Sequence, residues 1–96
     1  MATVYLNGQY LPAEQAKISP MDRGFLFGDG IYEVIPSYDG QFIGFSAHME
    51  RLFSGLAAIE IQHEFTRALF KSICERLSQD NGLGPLGIYI HITRGA

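Results

Sequence analysis

His48 and Arg51 are the pair whose types and spacing first suggest chemistry in this 96-residue sequence. Three residues apart on a helix, they leave from one face. A permanently charged planar guanidinium beside an imidazole can hold a phosphate or a carboxylate, although such a pair is more often a solvated surface. Gly55 continues that face one turn on. Glycine inside a helix costs about 1 kcal/mol against alanine, so something is expected to pack closely there. The second unusual stretch is Asp22-Arg23-Gly24-Phe25-Leu26-Phe27-Gly28-Asp29-Gly30-Ile31-Tyr32-Glu33-Val34. Its glycines predict a sharply bent backbone, with Phe25 and Phe27 plugging the turn into a core. A phosphate-cradling loop would open a helix, whereas Gly28-Asp29-Gly30 leads into a strand. His63 and His91 lack partners at ligand spacing, so no metal site is expected. Cys74, among apolar helix neighbours, reads as a buried thiol.

The elements that must position these residues follow from turn chemistry and periodicity. Thr3–Leu6 and Gln9–Leu11 flank Asn7-Gly8, a strong hairpin signal because both turn residues need positive φ. Ile31–Tyr38 is a β-branched and aromatic strand that Asp39-Gly40 turns back into Gln41–Ile43. Pro36 lacks a ladder donor, so the strand is expected to bulge there or to have an unpaired edge. Ser46 is the expected N-cap of a first helix with Met49, Leu52, Phe53 and Leu56 as its apolar stripe. A second helix is expected from about Glu64 to Gln79, burying Phe65, Leu69, Ile73 and Leu77 with Ala68 and Ser72 beside them. Asn81-Gly82 ends it. In Leu86–Thr93, the residues Leu86, Ile88, Ile90 and Ile92 face one way and Tyr89, His91 and Thr93 the other. The expected fold is α+β, an antiparallel β-sheet with two helices packed on it.

Composition narrows the function classes. The chain is 47% hydrophobic and 18% charged, with a net charge of −3, which suits a globular domain and gives no basic stripe for nucleic acid. No signal peptide and no membrane span are expected, and a lone cysteine forms no internal disulfide. A soluble cytoplasmic protein is the default. The last strand runs directly into Thr93-Arg94-Gly95-Ala96, which reads as a cut through a longer protein or as a native terminal strand.

The motif Asp22-Arg23-Gly24 with Phe27-Gly28-Asp29-Gly30-Ile31-Tyr32-Glu33-Val34, then Tyr38-Asp39-Gly40, His48-Met49-Glu50-Arg51-Leu52 and Ile92-Thr93-Arg94-Gly95, resembles the start of fold-type IV pyridoxal-phosphate enzymes. Within them it is most similar to the D-amino-acid (D-alanine) aminotransferases. Aminodeoxychorismate lyases tend to carry Phe at the position of Tyr32, and branched-chain aminotransferases Phe-Glu-Gly in place of Tyr32-Glu33-Val34; both remain alternatives. A non-catalytic binding domain is the alternative of another class.

The resemblance implies roles by position. Arg51 would bind the 5′-phosphate of pyridoxal 5′-phosphate, Tyr32 would help hold the substrate carboxylate, and Val34 would line the substrate pocket. His48, Glu33 and Arg94 would stand behind these. Arg94 and Gly95 would precede a loop carrying a carboxylate-trapping arginine and histidine. Residues 1–96 would be the N-terminal domain of a two-domain enzyme whose catalytic lysine lies beyond Ala96, since Lys17 and Lys71 match neither its position nor its context. That enzyme would exchange an amino group between a D-amino acid and a 2-oxo acid, by ping-pong, as a homodimer or other homo-oligomer. The 96 residues alone would be inactive. They would expose an apolar patch from Phe25-Leu26-Phe27 and the sheet face of Tyr32 and Val34, and so self-associate.

Overall fold

Asn7-Gly8 and Asp39-Gly40 both make the turns their chemistry demands, with φ of 48° and 92° at the first pair and 55° and 77° at the second. The computed structural model describes residues 2–96. Asn7-Gly8 joins β1 (Thr3–Leu6) to β2 (Gln9–Pro12) in a two-stranded sheet that pairs Leu6 with Gln9. A turn of 3₁₀ helix follows at Ala13–Gln15, and then the short helix α1, Arg23–Phe27. Asp39-Gly40 joins β3 (Gly30–Tyr38) to β4 (Gln41–Phe42). Helices α2 (Phe45–Ala58) and α3 (Arg67–Asp80) come next, and β5 (Leu86–Thr93) closes the chain. The second sheet is antiparallel in the order β4-β3-β5. The α+β architecture is the expected one, but with two sheets and a third, short helix. No helix among the described residues is long and apolar enough to cross a membrane.

Strand β3 is the middle of the larger sheet, and its period of two separates the faces. Glu33, Ile35 and Ser37 are buried under the helices, while Tyr32, Val34 and Tyr38 are exposed. Ile35 joins Ile88 of β5, Met49, Leu52 and Leu56 of α2, and Phe70, Ile73 and Cys74 of α3 in one core. The alternation expected of β5 holds, with Ile88 buried and Tyr89 and His91 exposed. Pro36 stays in register opposite Gly87, and its carbonyl accepts from Ile43 N at 2.9 Å. In an antiparallel ladder the nitrogen and carbonyl of one residue face the same neighbour. The missing donor thus faces the side where β4 has already ended, which is the unpaired-edge alternative.

Three local expectations are corrected. Helix α2 begins at Phe45 after Gly44 at φ 68°, so Gly44 is the N-cap and Ser46 lies in the first turn. The Ile43–Pro36 sheet bond leaves the chain one residue in which to turn, and only glycine takes that left-handed conformation without strain. Ser46 Oγ instead accepts from Arg67 Nη1 at 2.9 Å. Helix α3 begins at Arg67, not Glu64, because Thr66 Oγ1 caps Leu69 N at 3.1 Å and Phe65 N is engaged by His63 Nδ1. Its buried stripe is Phe70, Ile73, Cys74 and Ser78. Phe65, Leu69, Ala68 and Ser72 are exposed. Both stripes share Ile73 and fit the helical period; the small Cys74 and Ser78 are the side chains that admit close packing.

The Asp22–Phe27 turn is the third correction. It is a helix capped by Asp22 Oδ1 on Gly24 N at 2.8 Å, and Phe25 and Phe27 stand 74% and 67% exposed rather than plugged into a core. Gly24 lies so close to Thr93 of β5 that any β-carbon there would collide with the threonine side chain. The glycine face of α1 therefore turns inward and the phenylalanines outward.

Asn81, at the end of α3, fastens the first hairpin. Its Oδ1 accepts from Thr3 N and its Nδ2 donates to Thr3 O, each at 2.9 Å, while Nδ2 also donates to Leu77 O at 2.8 Å. The amide thereby copies a strand neighbour for β1 and satisfies a helix-end carbonyl as well. Arg76 adds a guanidinium 4.4 Å above the Tyr10 ring. Asn81→Ala is expected to destabilise the protein by about 2 kcal/mol, because part-buried backbone groups lose their partners. A chemical denaturation midpoint compared with the native protein checks this.

Candidate active site

Glu33 faces inward from the middle strand and is 4% exposed, so its charge must be met where it lies. Helix α2 crosses above it and supplies both partners from consecutive turns. His48 Nδ1 lies 2.6 Å from Oε1, Arg51 Nη2 lies 2.7 Å from Oε1, and Arg51 Nε lies 2.7 Å from Oε2. The bidentate Arg51 contact, helped by His48 and opposed by burial, pulls the Glu33 pKa down from 4.5 to about 2. Gly55 carries the same helix face against β3, where a β-carbon would sit 3.0–3.3 Å from the Ile31 side chain. The close packing expected at Gly55 is present.

Arg51 is not consumed by this pairing. Its side chain is 71% exposed, and a guanidinium has five N–H donors in a planar fork. Glu33 takes the Nε–Nη2 edge, and Nη1 has no hydrogen-bond partner among the described residues. The outer edge is a fixed cation open to solvent, suited to a phosphate oxygen or a carboxylate.

Tyr32 and Val34 flank Glu33 on β3 but point to the opposite, exposed face, and the structure does not bring them onto the side where Arg51 meets Glu33. Their cross-strand partners are His91 and Tyr89, respectively. The Tyr32 ring stacks on Tyr89 at 5.8 Å and meets His91 edge-on at 6.3 Å. Tyr89 Oη stands 3.2 Å from His91 Nδ1. The result is an aromatic surface on which Tyr32 stands 63% exposed, its hydroxyl open to solvent. Sequence reading named Tyr32 and Val34 here but missed Tyr89 and His91. Their alternation in β5 was visible, but the register that sets them beside Tyr32 was not.

Arg94 is a structural tie. It donates from Nε to Asp29 Oδ2 at 2.8 Å and from Nη2 to the Ile59 carbonyl that ends α2. Arg23 shares Asp29 at 3.1 Å, and Arg94 first, then Arg23, holds the Asp29 carboxyl below its ordinary range. Lys71 lies 5.6 Å from the Phe45 ring and Lys17 is exposed before α1. Cys74 is buried, and burial pushes its thiol up to about 11, so it is an inert core side chain.

The family model described as amino-transferase class IV matches residues 30–96, a span that contains Glu33, His48, Arg51, Tyr89 and Arg94. The chain belongs to the class IV aminotransferases. A D-alanine aminotransferase of Staphylococcus epidermidis is 40% identical over 96 residues, covering 100% of this chain and 34% of that protein. One from Listeria monocytogenes is 32% identical over 92 residues, covering 96% of this chain and 32% of its own length. Among solved structures, a branched-chain aminotransferase from Thermoproteus uzoniensis with norvaline superposes with a TM-score of 0.87 at 22% identity, over 99% of this chain and 34% of that one. The branched-chain amino acid aminotransferase of Escherichia coli gives 0.84 at 22%, over 93% and 31%. At such identities the structures speak for the fold alone. This class IV aminotransferase chain spans about a third of the length of the curated relatives it matches.

Glu33 makes acid stability a readout of the cluster. A carboxylate whose folded pKa is depressed stabilises the fold above its unfolded value and loses that contribution as the pH falls through its folded value. Here that window runs from 4.5 down to about 2. Glu33→Gln is expected to lower stability at pH 7 by about 1–3 kcal/mol, the range allowing for solvent screening at the exposed Arg51. The difference from the native protein should shrink steadily below pH 4.5, as measured by denaturant titrations at stepped pH.

Proposed function

We propose that residues 1–96 form the N-terminal domain of a pyridoxal 5′-phosphate-dependent aminotransferase that moves an amino group between a D-amino acid, such as D-alanine, and a 2-oxo acid. The observation that carries this reading is Arg51, a cation oriented by Glu33 yet open along its outer edge. The 5′-phosphate of the cofactor fits that edge: it is a dianion that accepts two parallel N–H bonds. The name shared by the relatives at 32–40% identity favours the D-alanine substrate. The solved branched-chain aminotransferases are 22% identical or less, too low to carry substrate choice.

When bound, the cofactor supplies the aldehyde and the electron sink that amino-group exchange needs. This chain supplies orientation. Arg51 holds the phosphate, and Glu33 keeps its fork from turning away. Tyr32 offers its hydroxyl to the substrate carboxylate. Val34 and Tyr89 line the side-chain pocket, and the stacked Tyr32, Tyr89 and His91 exclude water from it. The lysine that carries the cofactor comes from chain beyond Ala96, so the 96 residues alone are inactive. The exposed Phe25 and Phe27 belong to the surface that the rest of the enzyme and a second subunit cover.

In an enzyme carrying this chain, Arg51→Ala should weaken pyridoxal 5′-phosphate binding on the order of a hundredfold, as a charge-assisted contact is lost. Unchanged affinity in a titration would overturn the assignment and favour the non-catalytic reading. Tyr32→Phe should leave the cofactor absorbance intact and lower kcat/KM for D-alanine by about tenfold or more. If kcat/KM holds while the melting temperature falls, Tyr32 is only a packing aromatic.

A further inference from the structure

We infer that His48 is a positioning residue for cofactor binding: by holding the Glu33 carboxylate, it sets the angle at which Arg51 presents its open edge to a phosphate. This rests on the reading of Arg51 as the phosphate-binding cation. The three groups form a chain in which each fixes the next. Arg51 is 71% exposed and, among the described residues, its guanidinium donates only to Glu33, so the plane of the carboxylate decides the plane of the fork. A bidentate pair on two long side chains still rotates as a unit about the glutamate stem. A third donor stops that rotation, and His48 Nδ1 is the donor, 2.6 Å from the Oε1 that Arg51 Nη2 also uses at 2.7 Å.

The tautomer follows from the partner. Glu33 is held as a carboxylate, which only accepts, so Nδ1 of His48 carries the proton. Arg51 Nη2 and His48 Nδ1 stand 3.5 Å apart as two donors converging on one oxygen, with no bond between them. His48 is itself held, at 19% side-chain exposure. Its ring lies over Gly44, where a β-carbon would touch Cδ2 at 3.6 Å. Gly44 follows Ile43, whose N–H is bonded to Pro36 of β3 at 2.9 Å. The imidazole is thereby tied to β3 twice, through the Gly44 turn and through Glu33 itself.

The test compares apoenzyme affinity for pyridoxal 5′-phosphate with that for pyridoxal, which lacks the phosphate, in an enzyme carrying this chain. The ratio of the two dissociation constants isolates the phosphate contact from every other part of binding. Outer partners of metal-ligating side chains change affinity on the order of tenfold or more, and the same scale is expected for the outer partner of a phosphate-binding arginine. His48→Ala and His48→Gln should therefore reduce the preference for the phosphorylated form on the order of tenfold, with pyridoxal affinity unchanged. His48→Asn, whose amide nitrogen stands near the Nδ1 position, should retain it; the Gln amide reaches one bond too far. A melting curve for each variant reports folding separately, and if the alanine variant fails to fold the Asn–Gln contrast decides alone. Equal ratios in native, Asn and Gln proteins, with Arg51→Ala lowering the ratio, would show His48 to be structural only. An unchanged ratio in Arg51→Ala would remove the phosphate reading first, and this inference with it.

Discussion

A carboxylate buried on a middle strand is tolerable only if a cation and further hydrogen-bond donors come to it, and Glu33 imposes that condition on the helix above. His48 and Arg51 must face β3, which fixes the rotation of α2 about its axis. With that rotation set, Met49, Leu52 and Leu56 fall into the core around Ile35, and Gly55 comes down on Ile31. One ion cluster thus decides the seating of a 14-residue helix. It also leaves the outer edge of Arg51 in solvent, because a guanidinium bound through one edge keeps the other.

The same strand separates a buried face from an exposed aromatic one. Pleating that turns Glu33 and Ile35 inward must turn Tyr32 and Val34 outward. The outward face is enlarged by β5, whose register sets Tyr89 and His91 across from them. At the far end of this strand pair, Asp29, Arg23 and Arg94 tie α1, the end of β5 and the Ile59 carbonyl just after α2 together. The aromatic surface therefore stands on a sheet held at its end as well as along its length.

Both hairpins, the alternation of β5, the buried Cys74 and the tightness at Gly55 were legible in the sequence. Each depends on a residue and its immediate neighbours: a turn pair that needs positive φ, a period of two, or a glycine where a helix prefers alanine. The start of α2, the orientation of α1 and the buried face of α3 were not legible in the same way. Ser46 is a sound cap in isolation, but a sheet bond to Pro36 moved the turn to Gly44. Phe25 and Phe27 look like core residues until Thr93, near the other end of the chain, claims the inward side of α1 at Gly24. Asn81 looks like a helix stop, and its bonds to Thr3 are visible only once the two ends of the chain meet.

Sequence alone thus determined the α+β class, the order of the main elements and, by resemblance, Arg51, Tyr32 and Val34 as the residues to watch. These follow from local chemistry and motif spacing. Tertiary structure decided that Glu33 pairs with His48 and Arg51, 15 and 18 residues away, that Tyr89 and His91 join Tyr32, and that Arg94 ties elements together. Sequence periodicity says which residues share a face. Only the packing of one element on another says what that face meets, because a buried charge or a strand register is satisfied by partners brought near through the fold rather than along the chain.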